Sequence, residues 1–267
     1  MVYCARTGIT LYPMNIQAIR TRPLLPPQDD LLAVIAESLL ELPDRSVLAV
    51  SSKVVSIWRG RCSKAKENAE FEDKDVFAIA ESELYLPREM TPYNVMHTIV
   101  QGMRIGSGGV DLSNGNGYFT LWPKDPDGDA ESIRAFLLKH YSVKEVGVII
   151  TDSNSVPLRN GVMGLAIGYA GFLPMRDYRG AEDVFGRPLR LERTNVADCL
   201  ATAAVCEMGE GGESTPLACI SDIHGITFSE ERPTDPALCL KVTLEDDVFA
   251  PFFAHVPWKH GGGHKSK

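Results

Sequence analysis

Three acidic residues stand among glycines and serines: Asp111 in GGVDLSN, Asp152 in IITDSNS and Glu210 in MGEGGEST. Hard carboxylate oxygens on separate loops suit Mg²⁺ or Mn²⁺. Glycines near Asp111 and Glu210 let a phosphate come close to the backbone. Asp152 follows the apolar run VGVIIT, and an acid at the carboxyl end of a buried strand lies where open sheets bind ligands. Taken singly, each acid reads more readily as a cap or Asx-turn residue, the commonest use of Asp beside Gly and Ser. Composition does not join the three into one site. Lys53 in SSKVVS is either a phosphate contact or a solvated lysine. Arg176 and Arg179 in MRDYRG either grip a carboxylate or phosphate or pair on the surface with Asp177 or Asp183. Trp58 and Trp122 read as core or subunit contact, without chemistry.

The elements that must position these groups follow from spacing. PPQDDLLAVIAESLLELPD reads as a helix capped by Asp29 or Asp30, with Leu32, Ile35, Ala36 and Leu39 at helical spacing and Pro43 as its stop. SVLAVSSKVVSI reads as a strand, a serine-rich turn and a second β-like stretch. Residues 64–75 are charged and helix-permissive, and PREMTPYN is a loop. Residues 105–116, IGSGGVDLSNGN, form a loop able to pack its backbone closely, and YFTLWP follows as a strand. Asp127 or Asp129 opens a helix carrying Ile133, Phe136 and Leu137. VGVIIT is a strand buried on both faces. Asn195 to Asp198 resembles a capping box that opens a helix through Met208, and PLACIS is a further strand. Residues 1–225 therefore read as one catalytic unit, of one or two subdomains. Residues 226–267 read as a distinct extension with a flexible tail, HVPWKHGGGHKSK, whose His255, His260 and His264 could hold metal weakly.

The 267 residues are 44% hydrophobic, enough for a sizeable core. A net charge of −8 disfavours general binding to nucleic acid or anionic membrane. No apolar run approaches the roughly 18 residues that span a bilayer, and MVYCARTGITLYPMNIQ is not built as a secretory signal. Six scattered cysteines without a C-x-x-C pair read as reduced, in a cytoplasmic protein. P-loop, dinucleotide-binding, nucleophile-elbow and H-E-x-x-H motifs do not occur.

The phrases VLAVSSKVVSIWRGR, GGVDLSN, VGVIITDS, GLAIGYAGF, RDYRGAEDVFGR, NVADCLATAA and MGEG occur in this order. Together they resemble the coenzyme F420-0:L-glutamate ligase family over roughly residues 10–225. They are more similar still to its folate-metabolism gamma-glutamate ligase relatives, with which LPPQDDL and YFTLWPKDP also agree. The resemblance implies an α+β fold of mixed sheets with flanking helices and an intertwined homodimer. It also implies GTP-dependent addition of L-glutamate to a small-molecule carboxylate, with two divalent metals (Mg²⁺ or Mn²⁺) and potassium helping. By motif, Asp111 and Asp152 resemble ligands of one metal, and Ser153 and Glu210 ligands of a second. Ser52, Lys53 and Asn114 resemble nucleotide contacts. So do Arg22, Pro23, Leu24 and Leu25, and the stretch Met208, Gly209, Gly211, Gly212, Glu213, Ser214 and Thr215. No catalytic residue separate from the metal ligands is implied. Two departures stand out: Ile57 where members often carry Lys after V-V-S, and Ser153 where Thr is frequent. The first motivates the alternative of a nucleotide- and metal-binding regulatory protein without turnover. A metal-dependent hydrolase using the same acids is a third reading. A deazaflavin precursor and a folate-like acid both fit as acceptor.

Overall fold

The computed structural model describes residues 13–263, together with β1 (Val2–Tyr3) and β2 (Thr10–Leu11), which pair antiparallel. His264 and the rest of the C-terminal residues lie outside the described residues. The chain continues through β3 (Asn15–Ile19), α1 (Leu31–Ser38), β4 (Ser46–Ser51), α2 (Ser52–Trp58) and β5 (Cys62–Lys64). Next come α3 (Asp75–Glu81), β6 (Leu84–Leu86), β7 (His97–Val100), β8 (Met103–Gly106) and β9 (Tyr118–Thr120). α4 (Pro126–Tyr141), β10 (Val146–Asn154) and β11 (Met163–Ala170) follow, then β12 (Met175–Asp177), β13 (Arg193–Asn195), α5 (Val196–Met208) and β14 (Leu217–Ser221). α6 (Ala250–Phe253) and β15 (Lys259–His260) close it. The fold is mixed α+β.

A five-stranded sheet ordered β11-β10-β4-β14-β3 forms the centre. β4 and β10 are parallel, and the other neighbours are antiparallel. Successive side chains point to opposite faces, and both faces are covered. Leu48, Val50, Val148 and Ile150 pack with α1, α2 and α4, whereas Val47, Ala49 and Ile149 pack under α5. This two-sided burial is why VGVIIT carries no polar alternation. A smaller layer holds the four-stranded sheet β15-β6-β7-β8, with Ala78, Met96, Val110, Phe119 and Leu121 in a separate cluster. Among the described residues no helix is long and apolar enough to cross a membrane.

Local chemistry sets the helix ends. Asp30 caps α1 by accepting from the Leu32 and Ala33 amides. The helix ends at Ser38, before Pro43. Asn195 caps α5 by accepting from the Asp198 amide, and Gly209, at φ 80°, ends it. Three readings are corrected. The stretch after Ser51 is the helix α2, not a second strand. The β-branched residues cost a few tenths of a kcal/mol each in a helix, whereas burying Val55 and Ile57 contributes about 1.5–3 kcal/mol each. The cap of α4 is Asp125, with Pro126 in the first turn. Asp127 instead accepts from the Tyr169 amide, and Asp129 pairs with Arg59. Finally, the tail is fixed as far as Gly263: β15 pairs with β6, and the amides of Gly261, Gly262 and Gly263 donate to the carbonyls of Glu83, Ile79 and Ser82.

Candidate active site

Because β4 and β10 run parallel in register, Ser51 stands beside Thr151 at their carboxyl ends. The next residues, Ser52 and Asp152, therefore emerge together. A register irregularity between Ile150 and Thr151 in the β11 pairing precedes Asp152, and such bulges re-aim the side chains beside them. The Ser52 hydroxyl donates to Asp152 Oδ1 at 2.8 Å, and the Trp122 indole Nε1–H donates to Oδ2 at 2.7 Å. Burial pushes the Asp152 carboxyl up to about 6; the two hydrogen bonds oppose the shift and the Asp111 charge adds to it.

Asp111 is held by a backbone bridge to Thr120, which lies two residues before Trp122. Lys53 Nζ meets Asp111 Oδ2 at 2.7 Å and the Ser113 carbonyl at 2.7 Å. Ser113 donates its amide to Oδ1 and its hydroxyl to Oδ2. Burial alone would raise the Asp111 carboxyl, but the Lys53 charge and these hydrogen bonds outweigh it and hold it below the usual range. Two neighbouring carboxyls are thus poised oppositely.

The loop after α5 supplies the other wall. The Ser153 hydroxyl donates to Glu210 Oε1 at 2.6 Å. Asn114 Nδ2 donates to the Gly211 carbonyl at 3.0 Å, and Glu213 accepts from the Gly211 amide at 2.8 Å. The Thr21 amide donates to the Ser214 carbonyl at 2.9 Å, tying this loop to the segment of Arg22, Pro23, Leu24 and Leu25. The Arg22 guanidinium forks onto Asp29 at 2.7 and 3.0 Å, so its charge is already engaged.

One cavity of about 820 Å³ is lined by Asp111, Asp152, Ser153 and Glu210, and by every residue that the resemblance marks as a nucleotide contact. Ile57 also lines it, as a buried apolar side chain. Arg176 and Arg179 do not. Arg179 pairs with Asp177 and Asp235, and Arg176 lies over the Tyr178 ring. Asp177 is therefore the surface partner, joined by Asp235 rather than Asp183.

Two lining residues escaped sequence reasoning. Trp122 read as core, yet its N–H touches Asp152; the available signal was that a buried indole needs an acceptor. Gly109, at φ 69°, makes room for it, since a Cβ there would lie 2.4 Å from Trp122 Nε1. Lys74 adds a second cavity lysine, whose ammonium burial pushes below its ordinary range against the pull of Asp111. Among the described residues no three His, Cys, Asp or Glu side chains gather closely enough to hold a metal ion by themselves.

A polar cavity at the carboxyl ends of a mixed sheet, lined by opposed carboxyls and lysines, marks an enzyme of the α+β class. The sequence profile of the F420-0:gamma-glutamyl ligase family matches residues 19–222. Coenzyme F420:L-glutamate ligases are among the relatives. That of Methanopyrus kandleri is 36% identical over 76% of this chain and 84% of its own length. That of Archaeoglobus fulgidus is 34% identical over 76% and 85%. That of Methanothermobacter thermautotrophicus is 31% identical over 88% and 98%. The chain belongs to the F420-0:gamma-glutamyl ligase family, a family of acid–amino-acid ligases.

Proposed function

We propose that the chain joins L-glutamate to a small-molecule carboxylate at the expense of GTP, through an acyl phosphate, and that it works as a homodimer. The observation that carries the site is the gathering of Asp111, Asp152, Ser153 and Glu210 around one cavity. The donor set fits hard divalent cations. Mg²⁺ is ordinarily held by one or two carboxylates, with water and substrate phosphates completing its shell, which accords with two small oxygen sets in place of one large cluster. Asp111 and Asp152 would hold one cation, and Ser153 and Glu210 a second. Bound there, the cations would neutralise phosphate charge and align the transferring group.

The chain's own groups do the rest. Lys53 would meet phosphate oxygens, and the loop of residues 209–215 lines the same cavity. An acceptor carboxylate oxygen attacks the γ-phosphorus and GDP leaves. The amine of glutamate then attacks the acyl carbon; phosphate leaves with the former carboxylate oxygen, and an amide remains.

Coenzyme F420-0, the acceptor named for the family, and a folate-type acid are the acceptors to test. The chain is incubated with GTP, Mn²⁺, L-glutamate and each acceptor, with and without K⁺. GDP and a glutamyl adduct appearing only when both acceptor and glutamate are present support the ligase. Saturable GTP binding without turnover supports a regulatory protein. GTP loss without any need for an amine supports a hydrolase.

A further inference from the structure

Beyond the acid-lined cavity lies a second one, of about 320 Å³, roofed by the C-terminal extension. Its walls include Leu86, Pro157, Phe252 and Val256, and its polar lining includes Arg104, His97 and Trp258. Arg104 is locked in place: Nη2 donates to Asn154 Oδ1 at 3.0 Å and to the Ser155 carbonyl, while Asn154 Nδ2 returns a bond to the Arg104 carbonyl at 2.6 Å. Among the described residues no carboxylate pairs with this guanidinium. The Trp258 indole Nε1–H is buried and meets no acceptor among them. The Arg104 guanidinium among apolar walls is complementary to an anion carried on an aromatic body, and the Trp258 ring adds an aromatic wall. The volume sits at the lower end of small-ligand clefts, enough for one or two fused rings.

Ser155 lines both cavities, and it stands two residues past Ser153 on the same strand end. A ligand seated between Phe252 and Arg104 therefore abuts the acid-lined cavity. We propose that this second cavity binds a small aromatic anion, and that in catalysis it holds the non-reacting end of the acceptor. The second half rests on the ligase reading; the first does not. Residues 252–258 lie beyond the family match at 19–222, so the pocket is a place where this chain sets its own acceptor preference.

The probe is naphthalene-2-carboxylate, titrated into the full chain by calorimetry and tryptophan fluorescence, without nucleotide. The expected result is saturable one-to-one binding, with naphthalene-2-carboxamide at least tenfold weaker. Arg104→Gln should weaken binding at least tenfold. Val256→Phe, which adds bulk to the cavity wall and keeps the Arg104 guanidinium, should abolish it while leaving the melting temperature unchanged. No saturable binding, equal binding of the amide, or full binding by Val256→Phe overturns the proposal. With an acceptor that turns over, Val256→Phe should raise the acceptor KM at least tenfold and leave the GTP KM alone; an unchanged acceptor KM overturns the catalytic half. If no acceptor turns over in the unaltered chain, the ligase reading fails and takes the catalytic half with it, while the titration still judges the pocket.

Discussion

Asp152 is the residue on which burial and chemistry meet. Its carboxyl accepts from Ser52 and Trp122 yet is pushed up to about 6 by burial. In the metal-free protein the folded state thus keeps a proton at higher pH than the unfolded chain does. That favours folding below pH 4, and the advantage is lost as pH rises from about 4 through about 6. The loss is about 3 kcal/mol from the difference between 3.8 and 6. Metal-free Asp152→Asn should therefore melt no lower than the unaltered chain at pH 7.5, and its melting temperature should change less between pH 4.5 and 7.5. A clear drop in its melting temperature at pH 7.5 would contradict a desolvated carboxyl. The same variant should lose GTP-dependent glutamate addition by at least about 100-fold, the scale seen when an electrostatic group at a reacting centre is removed. Trp122→Phe keeps an aromatic side chain but removes the N–H from Oδ2. Its acid limb in a pH–rate profile should move to higher pH, and an unmoved limb would show that the indole only fills space.

At the scale of elements, the sheet was legible where burial is two-sided. VGVIIT and PLACIS announced β10 and β14 because no polar residue interrupts them, and Asn195 announced the start of α5 through its capping geometry. Helix α2 was not legible. Its serines and β-branched residues favour turn and strand locally, and only packing against α1 and β10 makes it helical. The candidate residues were legible as motifs. Their convergence was not, since it depends on the β4–β10 register and on the Asp111–Thr120 bridge, both contacts between distant segments. The contact of α5 with β11 places the Glu210 loop, and Gly164 permits it: a Cβ there would lie 2.4 Å from Val205 Cγ2 and 2.6 Å from the Ala201 carbonyl oxygen. Gly164→Ala should cost about 1–3 kcal/mol, and its melting temperature should fall by roughly 2–10 °C. An unchanged melting curve would mean that this packing yields freely. Asn195→Ala removes the cap and the Nδ2 bond to Asp198 Oδ2 and should cost about 1–2 kcal/mol, read as a lowered melting temperature.

At the scale of the whole molecule, the C-terminal extension is part of the folded body. Arg134, almost wholly buried, forks onto Glu230, and Phe228 bridges to Phe172. Ending the chain at residue 225 would take the carboxylate from that guanidinium and strip Ile226, Phe228 and Leu240 from the cluster under α5, so a lowered melting temperature by calorimetry is expected. Val184 and Phe185, in the loop between β12 and β13, and Leu191 are 93%, 88% and 78% exposed. Exposed apolar side chains of this kind suit the proposed homodimer; sedimentation should give twice the chain mass, and Phe185→Ser should shift it towards the monomer. The central claim, that separate carboxyls around one cavity hold divalent cations together with a nucleoside triphosphate, is tested most directly by Mn²⁺ titration followed by electron paramagnetic resonance, with and without GTP. The account predicts GTP-dependent binding of about two Mn²⁺ per chain, falling to one or none in Asp152→Asn. Mn²⁺ binding that ignores GTP, or that survives unchanged in Asp152→Asn, would contradict it.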